Sequence, residues 1–236
     1  MKMSVKYCLL TACMSFAVSA NAGVNINGTR LIYHGEKKEA SINVRSGADD
    51  KYPYLIQSFV DNKGPKGDQP EGTGKQPFTV TPPLFRLEPG AQNAVRVIRT
   101  GGDLPTDRET VYWLDVKAIP ANDPKDDGKN VLRFSLKNRV KIYYRPAGLA
   151  DPTIDDYKAV SFKISGSDLV VTNPTPWFLT FYKLNVGSSL VNTEFTMVPP
   201  RGTHTYKIPA GASGKVTWSY INDYGAASPV MGDVSR

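Results

Sequence analysis

NVLRFSLKNRVKIYYRP, residues 130–146, decides how the rest of the chain is read. Leu132, Phe134 and Leu136 are apolar while Arg133, Ser135 and Lys137 are polar, which is the two-residue period of a β-strand. Arg139, Lys141 and Arg145 follow in the same alternation before Pro146 stops it. By itself the pattern assigns Leu132, Phe134 and Leu136 to the core of an ordinary sandwich. The competing reading is a strand that pairs with a second protein, and the surrounding sequence decides between them.

Outward from this stretch, helical periodicity is nearly absent. Short alternating or aromatic-rich runs predict strands over 24–33, 40–44, 54–60, 78–81, 94–98, 110–119 and 131–144. His34-Gly35, Glu88-Pro89-Gly90 and Asp127-Gly128 supply the turns between them. Many short strands so spaced are the signature of an immunoglobulin-like sandwich, read here from spacing because the antibody-type cysteine pair is missing. Pro146, Gly148 and Pro152 then make a short, stiff linker. Strands resume over 158–164, 169–172, 177–184, 203–208 and 215–221. The expected fold is all-β, with two immunoglobulin-like domains at 23–146 and 147–236. The Gly-, Pro- and Lys-rich segment 61–76 reads as a mobile loop.

Residues 1–22 read as a secretory signal peptide. Lys2 and Lys6 precede an apolar run over 7–18 that is too short to span a bilayer, and Ala20-Asn21-Ala22 is a small-x-small cleavage site before Gly23. A lipoprotein site at Cys13 is the rival reading, but the apolar run continues past it. Cleavage removes both cysteines of the chain, Cys8 and Cys13, so the exported protein relies on core burial rather than disulfides. It also lowers the net charge from +7 to +5, a modest excess that suits acidic partners and argues little for nucleic acid. No membrane anchor is expected.

Enzyme signals are mostly negative. His34 and His204 fall in different domains and neither lies near a carboxylate-rich motif. There is no Gly-x-Ser-x-Gly elbow and no thiol nucleophile in the exported chain. Gly74-Lys75-Gln76 lacks the upstream glycine and the hydroxyl of a phosphate loop. In the segment 123–128, Lys125 occupies a calcium-ligand position and Pro124 disrupts the turn. No catalytic residue, metal or cofactor is expected. Tyr112, Trp113, Tyr143, Tyr144, Trp177, Phe178, Phe181 and Tyr182 are expected within strands, packing cores rather than forming a carbohydrate platform.

Six segments together resemble the periplasmic pilus chaperones of the chaperone–usher pathway. They are NGTRLIYHGEKKEASINV, YPYLIQSFVDN, TPPLFRLEPGAQNAVRV, DRETVYWLDVKAIP, NVLRFSLKNRVKIYYRP and SYINDYG, and they cover almost all of the exported chain in order. The resemblance implies two domains set at an angle around a cleft. It implies that the strand 131–144 is lent to an incomplete fimbrial subunit, the strand-addition mode known for pilins. Leu132, Phe134 and Leu136 are then the inserted side chains, and capping the subunit's groove in this way prevents its aggregation.

The same resemblance makes Arg30 and Lys141 the pair that holds the subunit's terminal carboxylate at the base of the cleft. Glu109, Arg145 and Asp223 match a network that orients the domains. The implied partners are fimbrial subunits and an outer-membrane usher in the periplasm, with self-association through the donor strand when no subunit is bound. Otherwise loop 61–76 or 120–130 is expected to cover that edge. The short, cysteine-free connection 120–130 resembles the short-loop branch of the family. An unbroken strand puts Lys141 on the face opposite Leu136, and a bulge near Asn138-Arg139 would reconcile the two roles. A periplasmic carbohydrate-binding or hydrolytic β protein is the alternative, and a fimbrial subunit or adhesin a further one.

The exported protein should begin at Gly23. N-terminal sequencing of the secreted product checks this, and a diacylated Cys13 would overturn it.

Overall fold

The computed structural model describes residues 23–68, 76–123, 125 and 129–232. The expected leader, with Cys8 and Cys13, lies outside the described residues, as does the Asp127-Gly128 turn. The first half of the chain forms β1 (Val24–Ile26), β2 (Arg30–His34), β3 (Glu39–Ser46), β4 (Tyr54–Asp61), β5 (Phe78–Thr81), β6 (Leu84–Leu87), β7 (Gln92–Arg99), β8 (Thr110–Pro120) and β9 (Leu136–Arg145). These make two sheets, β1-β3-β7-β5 and β2-β9-β8-β4-β6. Alternation does what it predicts: Val44, Val95, Val97, Leu114, Val116 and Ile142 point inward and are fully buried between the sheets. Tyr33, Phe78, Tyr112 and Tyr144 close one end of this core with tilted and edge-on ring contacts, as in Tyr33–Phe78 at 5.3 Å.

The expected single strand 24–33 is broken. Gly28, at φ 135°, lets the chain leave the first sheet after β1, which pairs with β3, and join the second as β2, which runs parallel to β9. β6 was hidden from the sequence by Pro82-Pro83, which punctuate the run ahead of it.

The second half forms β10 (Ser161–Ser165), β11 (Asp168–Asn173), β12 (Phe181–Val186), β13 (Ser189–Leu190), β14 (Gly202–Lys207), β15 (Val216–Tyr220) and β16 (Met231–Gly232), after a short 3-10 turn at Asp156–Ala159. Its sheets are β10-β11-β14 and β13-β12-β15-β16. They enclose a separate core in which Phe181 meets Trp218 edge-on at 5.7 Å and Tyr157 stacks near Tyr220 at 4.4 Å. β12 begins later than the expected 177. Pro174 and Pro176 deny the ladder donors, and the Asn173 side chain donates to the Trp177 carbonyl at 2.7 Å, shaping a turn instead. Trp177 and Phe178 therefore precede the strand, and Tyr182 is 64% exposed rather than core.

Arg145, the last residue of β9, is 2% exposed and sits where the two halves meet. Its Nε donates to Glu109 at 2.7 Å and its two terminal nitrogens donate to both oxygens of Asp223 at 2.7 Å. Glu109 completes the joint, accepting the Phe178 amide at 2.8 Å, while its own amide donates to the Pro176 carbonyl at 2.8 Å. Asp151 of the linker also accepts from Arg145. No motif around Asp151 marked it in the sequence. Burial works against the guanidinium charge, but Asp223 and Glu109 outweigh it and hold Arg145 above its ordinary value. Burial pushes Glu109 upward, opposed by Arg145 and the Phe178 amide.

Arg145→Ala should therefore cost about 3–5 kcal/mol, because it leaves a carboxylate buried without its cation. Glu109 would then take up a proton on folding. Its folded value being raised, the variant is most stable near the ordinary carboxylate range and loses stability as pH rises toward neutral. Thermal melts of both proteins between mildly acidic and neutral pH check this; a constant gap would contradict it.

Candidate functional site

Parallel pairing of β2 with β9 sets Arg30 directly opposite Lys141. The two residues are far apart in sequence, and strand register brings them to adjacent positions about 4.8 Å apart across the sheet. The Arg30 guanidinium donates to the Ile221 carbonyl of the second domain at 2.9 Å and lies 5.6 Å from the centre of the Tyr143 ring. Its Nε is buried without a partner, beside an interdomain cavity of about 220 Å³ lined by Tyr143, Tyr157, Tyr220 and Asp223 among others. Lys141 Nζ donates to the Thr180 hydroxyl at 3.4 Å, and that hydroxyl also bonds the Tyr143 phenol at 3.1 Å. Thr180 was not singled out by the sequence, since a lone hydroxyl carries no motif, and Tyr143 was expected only as a strand aromatic that packs a core.

The odd-numbered face of β9 carries four cations: Lys137, Arg139, Lys141 and, beyond Tyr143, Arg145. Lys137 is half-exposed, 4.0 Å from Asp115, and the two arginines are paired. Arg139 bonds Asp61 at 2.7 Å and Asp115 at 2.7 Å, and Arg145 has its own carboxylates. One guanidinium serving two carboxylates leaves Asp115 pushed up to about 6, by burial first and then by Asp61. Lys141 has no carboxylate within ion-pair distance among the described residues, and neither does Arg30. Burial, then the charge of Arg30, pushes Lys141 down to about 8. Two adjacent cations without a counter-ion at the base of a cleft make a site for an anion.

The register of β8 against β9 runs without a shift from Thr110↔Tyr144 to Ala118↔Leu136. There is no bulge at Asn138-Arg139. The even-numbered residues of β9 face the core and the odd-numbered ones face the cleft, so Leu136 and Lys141 simply use opposite faces of one regular strand. The strand is shorter than the expected 131–144. β8 ends at Pro120, and the Ser135 hydroxyl donates to the Ala118 carbonyl at 3.1 Å where the ladder stops. Residues 131–135 lie beyond the last rung of that ladder and are not strand.

Leu132, Phe134 and Leu136 are 81%, 74% and 67% exposed, so nothing in the described chain covers them. The described parts of loops 61–76 and 120–130 do not provide the expected cover over these side chains. β2 pairs with β9 only from Lys141 onward, so residues 136–140 present one edge of unused backbone groups. Solitary large apolar side chains are common on surfaces, but a row of alternate ones on an open edge is a strand-pairing template.

No group of three or more metal-binding side chains converges among the described residues. His204 packs against Tyr206 at 4.5 Å, and His34 lies 3.7 Å from Asp151. No helix among the described residues is long and apolar enough to cross a membrane.

With this geometry in hand, comparisons with known proteins become informative. Residues 23–150 match the family described as pili and flagellar-assembly chaperone, PapD N-terminal domain, and residues 155–231 match pili assembly chaperone PapD, C-terminal domain. The chain is 38% identical over 233 residues to chaperone protein FimC of Escherichia coli K12, covering 96% of this chain and 92% of that one. It is 40% identical over 216 residues to chaperone protein LpfB of Salmonella typhimurium, covering 89% and 88%. Its fold is similar to a chain in the complex of Salmonella enterica SafA pilin with the SafB chaperone, with a TM-score of 0.78, 33% identity and coverage of 92% and 99%. The Escherichia coli chaperone DraB gives a TM-score of 0.77 at 32% identity, covering 91% and 97%.

Proposed function

The chain belongs to the PapD-type pili assembly chaperone family, and from that premise we propose that it captures incomplete fimbrial subunits by lending them the open edge of β9. The observation that carries this is the pairing state of one strand: residues 136–140 hydrogen-bond on one side only, and the three alternate apolar side chains at their entrance are exposed. Inserted into a subunit's groove, Leu132, Phe134 and Leu136 each contribute about 1.5–3 kcal/mol of burial. Backbone pairing extends the strand through residues 131–135, which already have the right alternation. Two domains at 23–146 and 147–236 frame the cleft, joined at Arg145.

Arg30 and Lys141 bind the terminal carboxylate of the subunit. Each charge-assisted bond is worth about 1.5–3 kcal/mol, and together they fix the register at which the donor side chains enter. The loaded protein then passes its subunit to an outer-membrane usher in the periplasm, and the role requires no catalytic residue. SafB, the Salmonella relative, is seen in complex with a pilin, which supports a subunit as the partner here.

Two measurements test this reading. Arg30→Ala and Lys141→Ala should leave the melting temperature nearly unchanged while soluble complex with a co-expressed fimbrial subunit falls by about tenfold or more, one lost charged bond each. Lys163→Ala, an exposed lysine on β10, is the control. Wild-type binding by Lys141→Ala would remove the carboxylate role from that residue.

The second measurement is pH dependence. Lys141 binds as the ammonium and is pushed down to about 8 in the free protein, so subunit affinity should be flat below that value and fall as pH rises through it. Lys141→Arg keeps its charge throughout and should abolish the decline. The same decline in both proteins would place the titrating group elsewhere.

A further inference from the structure

Segment 61–76 reads from its composition as a mobile loop, yet its described part is held at both ends of the cleft. Gly64-Pro65-Lys66-Gly67 is a compact turn in which the Gly67 amide donates to the Gly64 carbonyl at 3.2 Å. Proline at the second position and glycine at the fourth suit that turn, so its shape is set locally. On the first domain, Arg139 grips it. The guanidinium holds Asp61 through both oxygens, at 2.7 and 3.0 Å, and donates to the Gly64 carbonyl at 2.8 Å. A side chain at Gly67 would collide with the same guanidinium, its Cβ coming within 2.7 Å of an Arg139 nitrogen. On the second domain, the Lys66 ammonium lies 5.2 Å from the centre of the Phe195 ring.

These contacts bracket Lys141. Arg139 stands two residues before it on the same face of β9, about 7 Å away along the strand. Both cations pack on one side chain, Trp113, at 5.3 and 5.8 Å. Two residues after Lys141, the Tyr143 phenol meets Met197 sulfur at 3.3 Å, and Met197 is two residues from Phe195. Bridges between the two domains thus flank Lys141 on both sides along β9: Arg139, the turn 64–67 and Phe195 on one, Tyr143 and Met197 on the other. Phe195 is held there at φ 56°, a left-handed conformation that is costly for an aromatic residue, and stays 61% exposed.

We propose that the turn 64–67 is a strap across the cleft that bars the incoming carboxylate from Lys141 until its contact with Phe195 opens. This rests on the subunit-capture reading of the site. The strap is asymmetric by construction. Its Arg139 end is buried and charge-assisted, whereas its Phe195 end is a single exposed cation–π contact, worth much less. The Phe195 end therefore releases first, and the turn swings on Asp61 as a hinge while Arg139 keeps hold of it. Capture then proceeds from the open fraction, so the apparent association rate is the intrinsic rate scaled by that fraction.

The test compares wild type, Phe195→Ala and Lys66→Ala in the full-length exported protein. Both substitutions remove only the exposed contact, and neither residue belongs to the carboxylate site or the donor row. Hydrogen exchange without any ligand comes first: the amides of Gly64, residue 66 and Gly67 should exchange about tenfold faster in both variants, with melting temperature unchanged. Stopped-flow association with a synthetic strand peptide of alternating valine and threonine, bearing a free terminal carboxylate, comes second. Association should quicken by the same factor in both variants, and the peptide's C-terminal amide should bind none of them well. Unchanged exchange at residues 64–67 overturns the strap, as does faster exchange with an unchanged association rate. If the carboxylate and amide peptides bind equally, the capture reading fails, and the exchange result still decides whether the turn is clamped.

Discussion

Between Lys141 and Arg145, β9 hydrogen-bonds on both edges, to β2 and to β8; from Leu136 to Val140 it has β8 alone. The rest of the molecule is arranged around that asymmetry. The doubly paired half must be rigid, because it carries Ile142 and Tyr144 into the core on one face and Lys141, Tyr143 and Arg145 into the joint between domains on the other. The singly paired half can be open only because the rigid half anchors it. A continuous register transmits the position of one half to the other, so exposed Leu136 and the Arg30–Lys141 pair are held at a fixed spacing by backbone geometry. A bulge would spoil that ruler, and none is present.

The same strand faces two kinds of interior. Its even-numbered residues belong to the protein's own core as far as Val140, and continuing the same alternation outward they become Leu136, Phe134 and Leu132. One face thus packs an internal core at one end and leaves a row of apolar side chains open at the other. The cost of such an open edge is a standing risk of self-pairing. Charged neighbours limit it: Arg133 and Lys137 alternate with the apolar row on the other face, and like charges oppose stacking of two copies in register.

Compensation of charge separates structural from binding cations along β9. Arg145 and Arg139 are each surrounded by carboxylates and nearly inaccessible, and they tie elements together. Lys141 between them and Arg30 beside it are left with neutral partners only: a threonine hydroxyl, a backbone carbonyl and a tyrosine ring. Burying a cation without an anion is unfavourable, as the downward shift of Lys141 reports. Identity of residue type is no guide here, since Arg139 and Lys141 share a strand, a face and a charge.

The alternation in residues 130–146, the turn signals and the linker prolines were enough to establish an all-β chain of two sandwiches, because period-two burial and proline geometry are local physics. The resemblance added which charges to watch. Several features were not legible locally. The break at Gly28, which sends β1 and β2 to different sheets, depends on which strand each half finds to pair with. The end of β9 at Leu136 depends on where its neighbour β8 stops. That Arg30 opposes Lys141 is a fact of parallel register between distant segments, and that Asp151 joins Arg145, or that Thr180 supports Lys141, depends on how the two domains dock. Sequence by itself determined which residues of a strand share a face, since that is written in side-chain period; only the tertiary structure decided which of those faces are covered, which edges stay unpaired and which charges stay uncompensated, since burial, pairing and neutralisation are properties of neighbours brought together by folding.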